Sequence, residues 1–494
     1  MGDKSITGEI PNDGVSTYLA STGDMQLYRN ASAQLSQFEA PVLLHGDNSH
    51  ERLYVAAFDG TGNDKYKDPL HSTNVAAIDE QIEELEAKGN VRIAEGYLPG
   101  PGTQDNRITR VLDGAIGYTH EARVEKMYDM FIHKARDWLR EDPDAQIRLV
   151  GIGFSRGGEE QASFARMVQE RGIQNPAGAV YKRDAHGNIL HVEYTKPPLV
   201  PPGKVAQAVG LFDPVGTGAP VNDYDRRLPP SVISGFQIFS KDEHRGLFKS
   251  DHIIDPGLTA DGRFLGVLVP GAHSDVGGGY LLNGLSIRSG NLMVDYLNAL
   301  SDRPFLEKSP EPVDPRLNVV HRSTEGLLLY RVWEKVDRLQ PGGYNTLEAP
   351  KHHHHGYRVV GDPYNAEPRD EALSRQFDFQ GVSIAPVPTD QRETAMQLPP
   401  TETGITRTAA SGAPAAGSVD AISVDAMVER LYQAALKRDD RAMDAVASDY
   451  LQSPQGGHWW REIQQYSQAM QTPEPAFAYQ GQAPEPVAPA GMQR

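Results

Sequence analysis

The 494-residue chain contains no cysteine. A disulfide framework, a thiolate metal site and a cysteine nucleophile are therefore excluded, and covalent catalysis would need another nucleophile. Long hydrophobic runs are also missing. The richest, Phe264 to Val269, is strand-sized, far short of the roughly 20 apolar residues of a membrane-spanning helix. Positive charge is scarce: 48 Lys and Arg against 66 Asp and Glu give a formal net charge of −18. That field repels phosphate backbones and anionic lipid headgroups alike, so nucleic acid is not expected as a partner. The first residues, MGDKSITGEIPNDG, lack the basic-then-apolar pattern of a cleavable signal, and Ile6 stands where a myristoylation signal carries Ser or Thr. Export by the general secretory route is not expected. Glycine (48) and proline (36) are plentiful in an otherwise ordinary globular mixture, 39% hydrophobic and 23% charged, long enough for more than one domain.

Residues 1–50 show few periodic apolar positions and read as an irregular N-terminal leader. Leu53 to Phe58 is a compact apolar run stopped by Asp59-Gly60-Thr61-Gly62-Asn63, the pattern of a buried strand entering a turn. Val75, Ile78, Ile82 and Leu85 keep helical spacing, and a stronger stripe runs from Val124 to Leu139 before Asp142-Pro143. Residues 147–154 (IRLVGIGF), the tight Ser155-Arg156-Gly157-Gly158 and a helical run to about Arg171 read as strand, turn and helix. Val205–Phe212 and Phe264–Val269 are further buried strands. Strands apolar throughout and separated by helices predict an α/β fold with a mostly parallel sheet covered on both faces. A hairpin insertion is expected over 178–204, turning at His186-Gly187-Asn188. The catalytic domain is placed at 51–383 with its core at 51–300. The Pro-, Thr- and Ala-rich stretch 384–420 reads as a flexible linker, 421–470 as a small helical segment and 471–494 as a disordered tail.

Gly153-Phe154-Ser155-Arg156-Gly157 matches the Gly-x-Ser-x-Gly elbow, whose glycines permit a sharp strand-to-helix turn that exposes the serine hydroxyl. The apolar strand before it and the helix after it supply the context the motif requires. A serine hydroxyl needs a base, and the base an acid to hold it. In elbow hydrolases both follow the serine from loops at the carboxyl ends of later strands. Asp213 in Leu211-Phe212-Asp213 and His273 in Ala272-His273-Ser274-Asp275 occupy such positions. Asp213 is preferred as the acid, with Asp255 and Asp275 as alternatives. The first oxyanion donor falls by position to the N–H of Arg156, and the second to Gly60 or Thr61. Asp59 is expected to hold that loop by hydrogen bonds, and Asp275 to orient its own loop or His273.

No cofactor is expected. No Lys-Ser/Thr pair follows the glycines at 60 and 62, so a phosphate-binding P-loop fails, and Gly277-Gly278-Gly279 lacks dinucleotide spacing. The run His352 to His355 is not assigned as a metal site.

Four segments together resemble one family: Phe58-Asp59-Gly60-Thr61-Gly62-Asn63 with Thr73-Asn74-Val75; Gly153-Phe154-Ser155-Arg156-Gly157-Gly158; Leu211-Phe212-Asp213; and Pro270-Gly271-Ala272-His273-Ser274-Asp275-Val276-Gly277-Gly278-Gly279-Tyr280. They look like the catalytic domain of type VI secretion phospholipase effectors, over about residues 51 to 300. The resemblance implies an α/β-hydrolase fold, a Ser155–Asp213–His273 triad and A-type hydrolysis of acyl esters in membrane glycerophospholipids. It also implies synthesis in a bacterial cytoplasm, delivery into target cells by a dedicated secretion system, a cognate immunity protein and a secretion-machine adaptor. Asp242-Glu243-His244-Arg245 only loosely resembles the family's Asp-Glu-Arg-Arg segment, and no role is read from it.

Overall fold

The structure, a computed structural model, describes residues 13–101, 120–183, 187, 189–216, 225–312, 314–326, 330, 334–347 and 366–388. The chain divides into two compact units, Met1–Thr401 and Glu402–Arg494, and every described residue belongs to the first. The helical segment 421–470, the tail 471–494 and the His352–His355 run lie outside the described residues, as does the linker beyond residue 388.

In chain order the elements are β1 (Thr17–Leu19), α1 (Thr22–Leu35), β2 (Glu39–Pro41), β3 (Glu51–Phe58), α2 (Asn74–Ala87), β4 (Ile93–Leu98), α3 (His120–Glu141), β5 (Gln146–Phe154), α4 (Arg156–Arg171), β6 (Ala179–Arg183), β7 (Ile189–Tyr194) and β8 (Gln207–Phe212). There follow β9 (Val232–Ser240), β10 (Ser250–His252), β11 (Gly257–Leu258), β12 (Phe264–Val269), α5 (His273–Gly277), α6 (Gly284–Asn298), β13 (Val319–His321), β14 (Tyr344–Thr346), α7 (Glu371–Ser374) and β15 (Phe379–Gly381). Seven strands form one sheet in the order β11-β12-β9-β8-β5-β3-β4. Every neighbouring pair in it is parallel except the short edge pair β11 and β12. This is the expected α/β architecture, a mostly parallel sheet flanked by helices.

Strand β3 shows how both faces are filled. Successive side chains of a strand point to opposite faces. Leu53, Val55 and Ala57 join a core with Tyr28 and Leu35 of α1, Ile78 and Ile82 of α2, and Met293 and Tyr296 of α6. Tyr54, Ala56 and Phe58 join a second core with Met127 and Phe131 of α3 and Phe164 and Val168 of α4. A strand buried on both faces reads as an unbroken apolar run, which is why LYVAAF is legible as one.

The reading of 1–50 as an irregular leader is corrected. Within it, α1 starts on a reciprocal cap in which the Asp24 N–H donates to Ser21 Oγ (3.1 Å) and the Ser21 N–H to Asp24 Oδ2 (2.9 Å). Tyr28, Ala31 and Leu35 of this helix are buried. β1 pairs with β13 and β2 with β15, so the N-terminal segment is tied to chain far beyond residue 300. β6 and β7 form an antiparallel hairpin against α3, with Tyr181 OH donating to Asp129 Oδ1 at 2.5 Å. At the start of the proposed linker the chain is still docked, since the Ala385 N–H donates to Asp295 Oδ1 (3.1 Å) and Lys308 Nζ to the Ala385 carbonyl (2.7 Å).

Candidate active site

The carboxyl ends of β5, β8 and β12 bring the candidate residues together. Ser155 follows β5 and precedes α4 with φ 57° and ψ −127°, a region L-residues rarely adopt. The turn is held by hydrogen bonds from Ser155 N–H to the Phe212 carbonyl (3.1 Å) and from Gly158 N–H to the Ser155 carbonyl (3.0 Å). Two glycines make it possible. A Cβ on Gly157 would overlap the Phe58 carbonyl, and one on Gly153 would overlap the Gly157 carbonyl. The start of α4 can therefore press onto the end of β3 only without side chains there.

Asp213, one residue beyond β8, also has a left-handed φ, 43°. Its carboxylate is fully buried and has three partners. Oδ2 lies 2.5 Å from His273 Nδ1, while Oδ1 accepts from Arg338 Nη1 (2.6 Å) and from the Ser240 N–H (3.0 Å). Burial alone would raise its pKa, but Arg338 and His273 outweigh burial and hold the carboxyl below its ordinary value.

His273 opens α5, with Phe154 (centroids 4.7 Å apart) and Phe248 (5.2 Å) against its ring. Burial pushes the imidazole below its ordinary 6.5, more than Asp213 lifts it, and the nearby cations Arg245 and Arg338 act in the same downward direction. The ring is thus neutral at pH 7. Since Nδ1 faces a carboxylate, Nδ1 carries the proton and Nε2 is left with a lone pair. Nε2 is buried with no hydrogen-bond partner among the described residues. A buried imidazole nitrogen left bare, on a ring packed against Phe154, the residue before Ser155, has the form of a general base awaiting a proton.

The other carboxylates have different work. Asp275 Oδ1 lies 2.6 Å from Nδ1 of His321, and its Oδ2 accepts from the Ala272 N–H (2.8 Å) and the His321 N–H (2.9 Å). It orients the loop that carries His273 and does not touch that ring's Nδ1. Asp255 is exposed and lies 3.8 Å from His252. Asp59 accepts from Tyr97 OH (2.6 Å), Thr73 Oγ1 (2.8 Å) and the Gly60 N–H (2.7 Å), and burial, against those three bonds, pushes its carboxyl up to about 6. The Gly60 N–H is thereby committed, leaving Thr61 as the candidate for the second oxyanion donor. Arg156 Nε donates to Thr61 Oγ1 at 2.5 Å, joining the two candidate donor loops.

Sequence reasoning missed Arg338, an arginine in a polar stretch 125 residues from Asp213 that no motif marks. It also drew nothing from Glu243 and Arg245. Glu243 is fully buried, accepts from Arg245 Nε (2.9 Å) and Nη2 (2.7 Å) and from Ser323 Oγ (2.9 Å), and lies 3.3 Å from the His273 N–H. Burial would raise its carboxyl, but Arg245 dominates and holds it well below the carboxylate range. A cavity of about 920 Å³ opens beside Tyr18, Asp242, His321 and Lys335, and none of Ser155, Asp213 and His273 lines it. Among the described residues no helix is long and apolar enough to cross a membrane, and no group of three His, Asp or Glu is placed to hold a metal ion.

No curated protein matches the chain. Among solved structures, an uncharacterized protein from Pseudomonas aeruginosa is 19% identical over 59% of this chain and 50% of its own, with a TM-score of 0.34. The Tle1 effector bound to the VgrG spike from the Type 6 secretion system is 22% identical over 47% of this chain and 51% of its own, with a TM-score of 0.26. Apo Thermogutta terrifontis esterase 2 is 14% identical over 58% of this chain and 95% of its own, with a TM-score of 0.25. The chain spans about half the length of the first two. Residues 52–196 match the family model of the T6SS phospholipase effector Tle1-like catalytic domain, a stretch from β3 to the end of the hairpin that contains Ser155 and stops before Asp213 and His273. Residues 52–196 are therefore similar to the Tle1-like catalytic domain of type VI secretion phospholipase effectors.

Proposed function

We propose that the protein is a serine-dependent phospholipase of the A type that cleaves acyl esters of membrane glycerophospholipids as an antibacterial effector. The observation that carries the reading is the 2.5 Å contact of Asp213 with His273 Nδ1, which leaves His273 Nε2 bare, together with the strained turn at Ser155. Nε2 takes the proton of Ser155 Oγ as the oxygen attacks the ester carbonyl. The N–H groups of Arg156 and Thr61 receive the charge that develops on the carbonyl oxygen. The tetrahedral adduct collapses with cleavage of the ester C–O bond, and His273 returns its proton to the departing lysophospholipid alkoxide. Water, deprotonated by the same nitrogen, then attacks the acyl-serine and releases the fatty acid, restoring Ser155 Oγ–H.

The family match over 52–196 supports phospholipid as substrate class. The VgrG-bound relative suggests a spike or adaptor of a secretion machine as partner, and a toxin acting on bacterial lipid calls for an immunity protein in the producing cell. A fluorophosphonate probe tests the serine chemistry: a single adduct on Ser155, absent from folded His273→Ala, is expected. An intact protein that takes no adduct would instead be a binding module on a hydrolase fold. Rates on dispersed short-chain esters and on vesicles separate a soluble esterase from an interfacial lipase, the latter being faster on vesicles.

A further inference from the structure

The serine-hydrolase reading leaves one buried cation without a role. Arg338 comes from the segment before β14, outside the matched family stretch, and its side chain is 2% exposed. It makes two sets of contacts. Nη1 donates to Asp213 Oδ1 (2.6 Å) and to the Ser240 carbonyl (3.2 Å), while Nε (3.1 Å) and Nη2 (2.5 Å) both donate to the Phe248 carbonyl. The ring of Phe248 stands edge-on to the His273 imidazole.

With the Ser240 N–H, the guanidinium occupies Oδ1 of Asp213, so Oδ2 alone faces His273. A carboxylate held at one oxygen cannot rotate to share its proton-accepting oxygens with other donors. A guanidinium fork suits this task because its donors are fixed in one plane. The same fork anchors the main chain that carries Phe248, a wall of the imidazole pocket.

We propose that Arg338 is a positioning residue of the active site, one side chain that fixes both the acid Asp213 and the aromatic wall of the base His273. The proposal rests on the serine-hydrolase reading above. Its charge also bears on the base. The groups facing His273 are Asp213 after β8, Arg338 before β14, Glu243 and Arg245 after β9, and the rings of Phe154 and Phe248, with Asp275 of its own helix engaged by His321 of β13. Arg338 is one of two cations that disfavour the imidazolium, so its removal raises the pH at which His273 takes up a proton.

The test is the pH profile of fluorophosphonate labelling of Ser155 in the full-length protein, resolved into maximal rate and probe affinity, for wild type, Arg338→Met and Arg338→Lys. The Met variant is expected to lose about tenfold to a hundredfold in maximal rate with unchanged probe affinity, and its acid limb to move to higher pH. The Lys variant keeps the charge but cannot bond both Asp213 and the Phe248 carbonyl, so its limb stays while its rate falls about tenfold. If Arg338→Met does not fold, as judged by its melting transition, the Lys variant decides alone: a reduced maximal rate supports the positioning role, a wild-type rate overturns it. Labelled wild type with folded variants that match it in rate and limb overturns the role of Arg338 and leaves the serine chemistry intact. Wild type that takes no label overturns the serine-hydrolase reading and this proposal with it.

Discussion

Ser155 and Asp213 leave adjacent parallel strands side by side, each with a left-handed φ. Phe154 and Phe212 are register partners in β5 and β8, and the next residue of each strand has φ 57° (Ser155) or 43° (Asp213). No other non-glycine residue among the described ones has a positive φ. Such conformations cost on the order of 1–3 kcal/mol each and persist where the surroundings enforce them. Here both fall on members of the proposed triad, the nucleophile and the acid.

That strain can be measured. Ser155→Gly is expected to raise the melting temperature, worth about 1 kcal/mol, because glycine adopts φ 57° without a Cβ clash, while Ser155→Ala stays near wild type. Both should lose hydrolysis by about a thousandfold or more. Thermal melts with ester assays on both variants check this, and equal stability of the Gly and Ala variants would contradict stored strain.

Asp213→Asn replaces the acid with a group of the same shape. Activity is expected to fall about a thousandfold or more, because an amide no longer favours the His273 tautomer with a bare Nε2. Removing the charge also leaves buried Arg338 unpaired, worth about 3 kcal/mol of stability. In the wild type the acid limb of kcat/KM should lie below pH 6.5, since burial depresses the His273 imidazole. A limb at or above pH 7 would conflict with a buried neutral base.

Gly157→Ala sets two effects against each other. Alanine is the better helix former by about 1 kcal/mol. The added Cβ, however, overlaps the Phe58 and approaches the Asp59 carbonyl oxygens, which are backbone and cannot swing aside. The clash should win by about 2 kcal/mol and displace the Asp59–Asn63 loop, so that Ser155 labelling slows as well. Unchanged stability and labelling would mean that α4 does not press on β3 as described.

His321 lies buried between Asp275 (2.6 Å at Nδ1) and Asp13 (3.2 Å at Nε2), under the stacked ring of Tyr280. Burial alone would lower its pKa, but the two carboxylates lift it to about 9. The folded value is the higher one, so this stabilisation is complete below about pH 6.5 and is lost as pH rises through about 9. It amounts to on the order of 3 kcal/mol. Melting temperature should therefore decline between pH 6.5 and 9, with amides of β1 exchanging faster, and His321→Gln should flatten that decline.

Much of the fold could be read from the chain because parallel strands buried on both faces are apolar runs. Leu53–Phe58 and Phe264–Val269 lie where the pattern placed them, inside or coincident with β3 and β12. β9 went unread although wholly buried, because Ser234, Gly235 and Gln237 interrupt its apolar run. Gln237 is tolerated there only because the Asp251 carbonyl and the Ile254 N–H satisfy it. α1 was missed for a related reason: Tyr28, Ala31 and Leu35 are diluted by polar residues and are fixed by packing on α6, as in the bond from Tyr28 OH to the Leu285 carbonyl. Chain order and strand-end position pointed to Asp213 and His273. The groups that restrain them, Arg338, Glu243 and His321, arrive from distant segments through tertiary contacts, which leave no local spacing to read.

The central claim is that Ser155 opens acyl esters of phospholipid. Mass spectrometry of lipids released from bacterial phospholipid vesicles by wild type and by folded Ser155→Ala tests it most directly. The account predicts free fatty acid and lysophospholipid from wild type and neither above background from the variant. Equal release by both proteins, or head-group cleavage in place of acyl release, would contradict it.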